Sequence, residues 1–87
     1  MANNDLNQIR IFVSVASMKS FTKAAEILKI EKSTVSTKVS QLEQRLNIRL
    51  LQRTTRKVSL TEAGEQYLSY CLAALEQLDK GEQFINE

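Results

Sequence analysis

The chain has 87 residues, no proline and only two glycines, a composition that favours one small, mainly helical domain. It contains no histidine and one cysteine, so neither a disulfide within the chain nor the usual zinc site or general base is available, and an enzyme is not expected. The net charge of +2 is unevenly distributed, because residues 19–60 carry +7 and residues 61–87 carry −5, which suggests a head that binds a polyanion and a helix that faces away from it.

The first two helices are predicted from apolar periodicity and capping residues. Asp5 can cap a helix over Leu6–Met18, in which apolar residues recur every three or four positions. A second helix starts near Ser20 or Thr22, either of which can cap it, and runs to about Leu28. We expect Ile30 to be buried in the turn that follows.

The third helix, predicted over Lys32–Leu46, has an apolar face and a face of hydroxyls, amides and lysines. Short hydroxyl side chains allow close approach to DNA, lysines meet phosphates or base acceptors, and a helix N-terminus favours phosphate. Together with the second helix, this pattern predicts a helix-turn-helix whose recognition helix is Lys32–Leu46. The alternative is an ordinary helical hairpin with a solvated polar face.

Two short strands are predicted after the third helix. The apolar and basic segment 48–53 and the alternating segment 58–60 flank a compact polar turn, residues 54–57. This arrangement predicts a wing with strands of two or three residues.

The last helix is predicted from Thr61, a good N-cap, to Asn86, a length of about 39 Å. Gly64 in its first turn costs about 1 kcal/mol relative to alanine, so we expect a close backbone contact there. A heptad-like apolar pattern predicts pairing with another chain or domain. The candidate contact residues are Leu68, Cys71, Leu72, Leu75, Leu78 and Ile85.

Cys71 has two interpretations. We expect it to be a small apolar contact. The alternative is a redox crosslink between two antiparallel copies of the helix, because Cys71 lies near its middle.

The ordered blocks of the chain resemble the N-terminal DNA-binding domain of LysR-type transcriptional regulators. The resemblance extends from Leu6 to the end of the chain. Its motifs are LxxIxxFV from Leu6, SFTxAAxxL from Ser20, SxVSxxVxxLExxL from Ser33, RLLxRTTR from Arg49 and LTxAG from Leu60.

The resemblance implies a mainly α fold, a winged helix-turn-helix over residues 1–60 followed by a linker and dimerisation helix over residues 61–87. It implies sequence-specific binding of double-stranded promoter DNA at an interrupted inverted repeat, by a homodimer or a tetramer of the intact protein. It also implies a larger effector-binding domain, absent from this chain, so no cofactor is expected here. The absence of a signal peptide and of a long apolar run favours an intracellular setting without a membrane partner. The resemblance implies a bacterial protein of the cytoplasm that associates with the nucleoid.

The resemblance also assigns roles to single residues. Base readout is expected from Lys32, Ser33, Ser36 and Thr37 in the major groove and from Arg56 of the wing at the minor groove. Phosphate contacts are expected from Thr22, Lys23, Lys38, Arg53 and Thr55. Arg53 has an alternative role as a structural brace of the wing through an ion pair.

Lys32 stands where family members often carry glutamine, which can pair with adenine, whereas lysine prefers guanine acceptors or a phosphate. An altered base preference is therefore expected at that step. The alternative function is a helical protein-interaction module, in which the last helix is the working part and specific DNA readout is absent.

Overall fold

The computed structural model describes residues 5–54 and 57–87. It contains four helices and a two-stranded antiparallel sheet, which confirms the predicted winged helix-turn-helix. The elements in chain order are α1 (Leu6–Met18), α2 (Phe21–Leu28), α3 (Lys32–Leu46), β1 (Leu51–Arg53), β2 (Val58–Leu60) and α4 (Glu62–Asn86).

Side chains cap three of the four helices at their N-termini. The Asp5 carboxylate accepts hydrogen bonds from the first turn of α1, the Ser20 hydroxyl from Lys23 N, and the Thr61 hydroxyl from Gly64 N. The helix α3 lacks such a bond, since the Glu31 side chain does not cap it. These local hydrogen bonds explain why the helix starts follow the sequence pattern closely.

Three helices end on a residue in the left-handed conformation, where glycine is usually favoured. Asn47 ends α3 with φ 56°, as predicted. Lys19 ends α1 with φ 53° and Lys29 ends α2 with φ 59°, and neither lysine was expected in this conformation. The two lysines therefore carry backbone strain at both ends of the α2 segment.

The core lies where α1 packs against α2, α3 and α4. Phe12, Val35, Val39 and Leu42 are fully buried there. Ala24 of α2 is also fully buried, and its small side chain lets the neighbouring helices approach closely. Ile30 departs from the expectation of burial, because it is 36% exposed in the turn between α2 and α3.

The wing is joined to the start of α4 through Leu50. Strands β1 and β2 pair with Leu51 opposite Leu60 and Arg53 opposite Val58. The Leu50 carbonyl accepts a hydrogen bond from Thr61 N at 3.0 Å. A Cβ atom placed on Gly64 would lie 2.0 Å from that same oxygen, so the predicted close approach at Gly64 is confirmed.

The first half of α4 belongs to the core and the second half is exposed. Tyr67 packs against Phe12 with 5.8 Å between ring centroids, and Cys71 is only 3% exposed. Burial raises the pKa of the Cys71 thiol, which disfavours the thiolate that forms crosslinks. Cys71 is therefore an apolar contact within its own chain, as the first interpretation expected.

No helix among the described residues has both the length and the apolar character needed to span a membrane. Residues 5–54 and 57–87 also contain no cluster of three or more histidine, cysteine, aspartate or glutamate side chains that could hold a metal ion.

Candidate nucleic-acid interface

The N-terminal turns of α3 present a polar surface, as the sequence predicted. Lys32, Ser33 and Thr37 are exposed, and Ser36 is half-buried beneath them. The apolar residues of α3 turn inward to the core, so this surface is the face of α3 left for a partner. Hydroxyls and lysine at a helix N-terminus form a surface that suits phosphates and base edges.

A surface depression brings together the starts of α2 and α3 and the wing. We call it the basic depression, because Lys19, Lys32, Arg53 and Lys57 line it together with Thr22. None of these four cations forms an ion pair with a carboxylate in the part of the chain that the structure describes. Four unneutralised cations around one concavity create a positive potential that attracts a polyanion.

Arg53 connects the wing to both helices of the helix-turn-helix. Its guanidinium carbon lies 4.3 Å from the centroid of the Phe21 ring in α2, a cation–π contact. Its Nη1 atom donates a hydrogen bond of 3.3 Å to the Ser36 hydroxyl in α3. The contacts of Arg53 among the described residues are thus made with a ring and a hydroxyl, and the ion pair of the alternative role is not found among them.

The other phosphate candidates are more scattered. Lys23 is exposed on α2 and Lys38 is half-buried on α3, and neither lines the basic depression. Thr55 and Arg56 lie outside the described residues. Their expected roles in the wing stay predictions.

Two residues near the interface were not identified from the sequence. Lys19 lines the basic depression because the left-handed turn after α1 brings it beside α2, and its sequence context carried no signal for this position. Glu43 of α3 accepts hydrogen bonds from Leu50 N at 2.8 Å and Leu51 N at 3.1 Å. This carboxylate fixes the recognition helix to the base of the wing.

The candidate dimer residues divide into two groups along α4. Cys71 lies in the core and Leu68 is half-buried against the core, so both contact residues of their own chain. Leu72, Leu78 and Ile85 are 47%, 40% and 76% exposed. Cys71 is thus part of the core of its own chain. The contacts of these candidate residues with a second helix stay a prediction.

Known proteins share both the sequence and the shape of this chain. A family model described as "Bacterial regulatory helix-turn-helix protein, lysR family" matches residues 6–65. An HTH-type transcriptional regulator of Xanthomonas campestris pv. campestris is 45% identical over 84 residues, which are 97% of this chain and 24% of the relative. An HTH-type transcriptional repressor of Pseudomonas aeruginosa is 46% identical over 75 residues, 86% of this chain and 24% of the relative.

Solved structures agree with these relatives. A crystal structure of the BenM DBD in complex with benA site 1 DNA has a TM-score of 0.91 at 34% identity, covering 95% of this chain and 93% of that chain. An OxyR mutant of Corynebacterium glutamicum has a TM-score of 0.91 at 32% identity, covering 99% of this chain and 28% of that chain. This chain spans about a quarter of the length of the curated relatives above. With the winged fold and the family match over residues 6–65, the chain belongs to the lysR family of bacterial regulatory helix-turn-helix proteins.

Proposed function

We propose that this chain is the DNA-binding part of a LysR-type transcriptional regulator that recognises specific promoter sequences. The observation that carries the proposal is the basic depression, in which four cations from the turn after α1, from α3 and from the wing lie together at the start of the recognition helix. The relatives named transcriptional regulators, and the similar fold crystallised on DNA, support the same function.

Affinity and specificity come from different groups in this proposal. Lys19, Arg53 and Lys57 neutralise phosphates, and the release of counterions supplies much of the affinity. Lys32 at the start of α3 meets a guanine acceptor or a phosphate. The exposed hydroxyls of Ser33 and Thr37 and the half-buried hydroxyl of Ser36 read base edges in the major groove. By the family resemblance, Arg56 reaches the minor groove and Thr55 a phosphate.

The outer half of α4 is the proposed dimer contact. Leu78 and Ile85 lie seven residues apart on one face of α4 and expose apolar surface in the half of the helix beyond the core. Pairing two antiparallel copies of α4 covers this surface and presents two recognition helices to an inverted repeat. In the intact protein such dimers can assemble further into tetramers.

The remaining parts of the proposal follow from the same role. The protein acts by binding and is not an enzyme, and it works in the bacterial cytoplasm where promoter DNA is found. DNA binding by this chain requires no cofactor, and a small-molecule effector acts through a separate domain of the regulator.

The test of DNA binding is an anisotropy titration of labelled duplexes, pooled promoter fragments against random sequences, at several salt concentrations. We expect tight binding to a subset of promoter fragments, with an affinity that falls steeply as salt rises. Lys32→Gln should either lower the slope of log K against log salt by about one, if Lys32 binds a phosphate, or change the preferred sequence, if it reads a base.

Lys80→Gln is the matched control, because Lys80 is an exposed lysine on the acidic helix that pairs with Glu76 at 3.4 Å. This variant removes the same charge and should leave both slope and preference unchanged. Equal, weak binding to every duplex by a protein that forms dimers would instead favour the protein-interaction module.

The dimer contact predicts a concentration-dependent mass in analytical ultracentrifugation. Replacing Leu78 and Ile85 together by glutamate should shift the protein to monomer, because four buried carboxylates would have to be desolvated in each dimer. The single variant Lys80→Gln should keep the mass of the parent. A dimer that survives the double substitution would contradict this contact surface.

A further inference from the structure

Among the contacts of the described residues, Ser36 alone of the base-readout candidates has a hydroxyl engaged by another side chain of the protein. The Nη1 atom of Arg53 donates to the Ser36 oxygen at 3.3 Å. The Ser36 hydroxyl in turn donates to no group within the described residues. Its proton is therefore available to a partner that approaches this surface.

The hydroxyl of serine has one proton and two acceptor lone pairs, so it normally serves as donor or acceptor equally well. A guanidinium that donates to the oxygen occupies a lone pair with a full positive charge nearby. This arrangement weakens the oxygen as an acceptor and polarises the O–H bond as a donor. Ser36 is thereby biased towards acceptors on its partner.

The guanidinium that creates this bias is held in place before DNA arrives. It lies 4.3 Å from the centroid of the half-buried Phe21 ring, whose helix is anchored in the core through Ala24 and Ala25. Arg53 also ends strand β1, which pairs with β2. The ring and the strand together restrict where the guanidinium can go, so the bond to Ser36 costs little additional ordering.

We propose that Arg53 is a positioning residue that makes Ser36 a directed hydrogen-bond donor in DNA recognition. This inference rests on the proposed function and names the base edges involved. A donor at Ser36 matches N7 and O6 of guanine, N7 of adenine or O4 of thymine, and it mismatches the N4 amino group of cytosine. Arg53 thus acts on sequence preference through Ser36 and not only on affinity through its charge.

The experiment is a binding-site selection followed by titrations on single-base variants of the preferred duplex, using the chain as it exists. Arg53→Lys keeps the charge but lacks the planar guanidinium that spans the ring and the hydroxyl. We expect it to lose discrimination at one base-pair position by about fivefold to tenfold, at an unchanged salt slope. Ser36→Ala should lose discrimination at the same position, and the double variant should be no worse there than either single variant.

Two further variants separate this role from charge and from folding. Lys57→Gln removes a cation of the same depression that does not contact Ser36, so it should lower the salt slope by about one and keep the sequence preference. Phe21→Leu keeps Arg53 and Ser36 but removes the ring that holds the guanidinium, and should weaken discrimination at the Ser36 position. Circular dichroism and thermal melting establish that each variant is folded.

The outcomes are distinct for the two proposals. A parent protein that binds all duplexes equally overturns the proposed function and this inference together. A selective parent whose Ser36→Ala variant loses discrimination while folded Arg53→Lys and Phe21→Leu keep it overturns the inference alone. A selective parent whose Ser36→Ala variant keeps full discrimination also overturns the inference and leaves the proposed function standing.

Discussion

Gly64→Ala is expected to destabilise the protein by about 3 kcal/mol, although alanine is the better helix former. The added methyl group would lie 2.0 Å from the Leu50 carbonyl oxygen and 3.2 Å from a Leu60 methyl group. The oxygen is backbone and already accepts from Thr61 N, so relief requires the wing or α4 to move. The free energy of unfolding from urea titration measures the loss.

Gly81→Ala is the matched control on the same helix. No atom of the described residues lies within 4 Å of a Cβ placed on Gly81. At a concentration where the protein is monomeric only helix propensity changes, and the free energy of unfolding should rise by about 1 kcal/mol. Both variants are compared at one protein concentration, because self-association adds to apparent stability. A stabilising effect of alanine at both positions would contradict the close contact at Leu50.

Glu43→Ala is expected to lower the free energy of unfolding by about 2 to 3 kcal/mol. The substitution removes a carboxylate oxygen that accepts from two backbone amides, Leu50 N at 2.8 Å and Leu51 N at 3.1 Å. Leu50 and Leu51 are each 1% exposed, so water cannot easily replace the lost acceptor. Urea titration with circular dichroism measures the change.

Glu43→Gln should lie between the parent and the alanine variant, because its amide oxygen still accepts but without the charge. Glu26→Ala is the control, since Glu26 is an exposed carboxylate on α2, and its removal should change stability by about 0.5 kcal/mol or less. Equal effects at Glu43 and Glu26 would show that the bonds from Leu50 and Leu51 do not stabilise the fold.

The helices were predictable from sequence because their determinants are local. The side chains of Asp5, Ser20 and Thr61 accept hydrogen bonds from backbone amides two or three residues away. The apolar periodicity of a helix can also be recognised from that segment of sequence alone. The prediction that Ile30 is buried was wrong because burial is not determined locally. Its burial depends on which element covers the turn between α2 and α3, and that is decided by distant parts of the chain.

The site was predictable in its composition but not in its internal contacts. The polar face of α3 follows from periodicity, and the structure confirms that Lys32, Ser33 and Thr37 are exposed. The contacts of Arg53 with Phe21 and Ser36 span 32 and 17 positions in the chain, and no local pattern encodes them. They arise only when the wing folds back onto the helices.

Because α4 is continuous, its outer half has a fixed rotation relative to the helices that pack against its first half. The helix runs without interruption from the core contact at Gly64 and Cys71 to Asn86, and each residue turns it by about 100° and lengthens it by about 1.5 Å. One residue inserted after Cys71 would therefore turn the face of α4 that carries Leu78 and Ile85 by about 100° relative to α3. Seven inserted residues would leave that face within about 20° of its direction while moving it about 10 Å outward. The number of residues in α4 thus determines both the direction in which the Leu78 and Ile85 face points and its distance from α3.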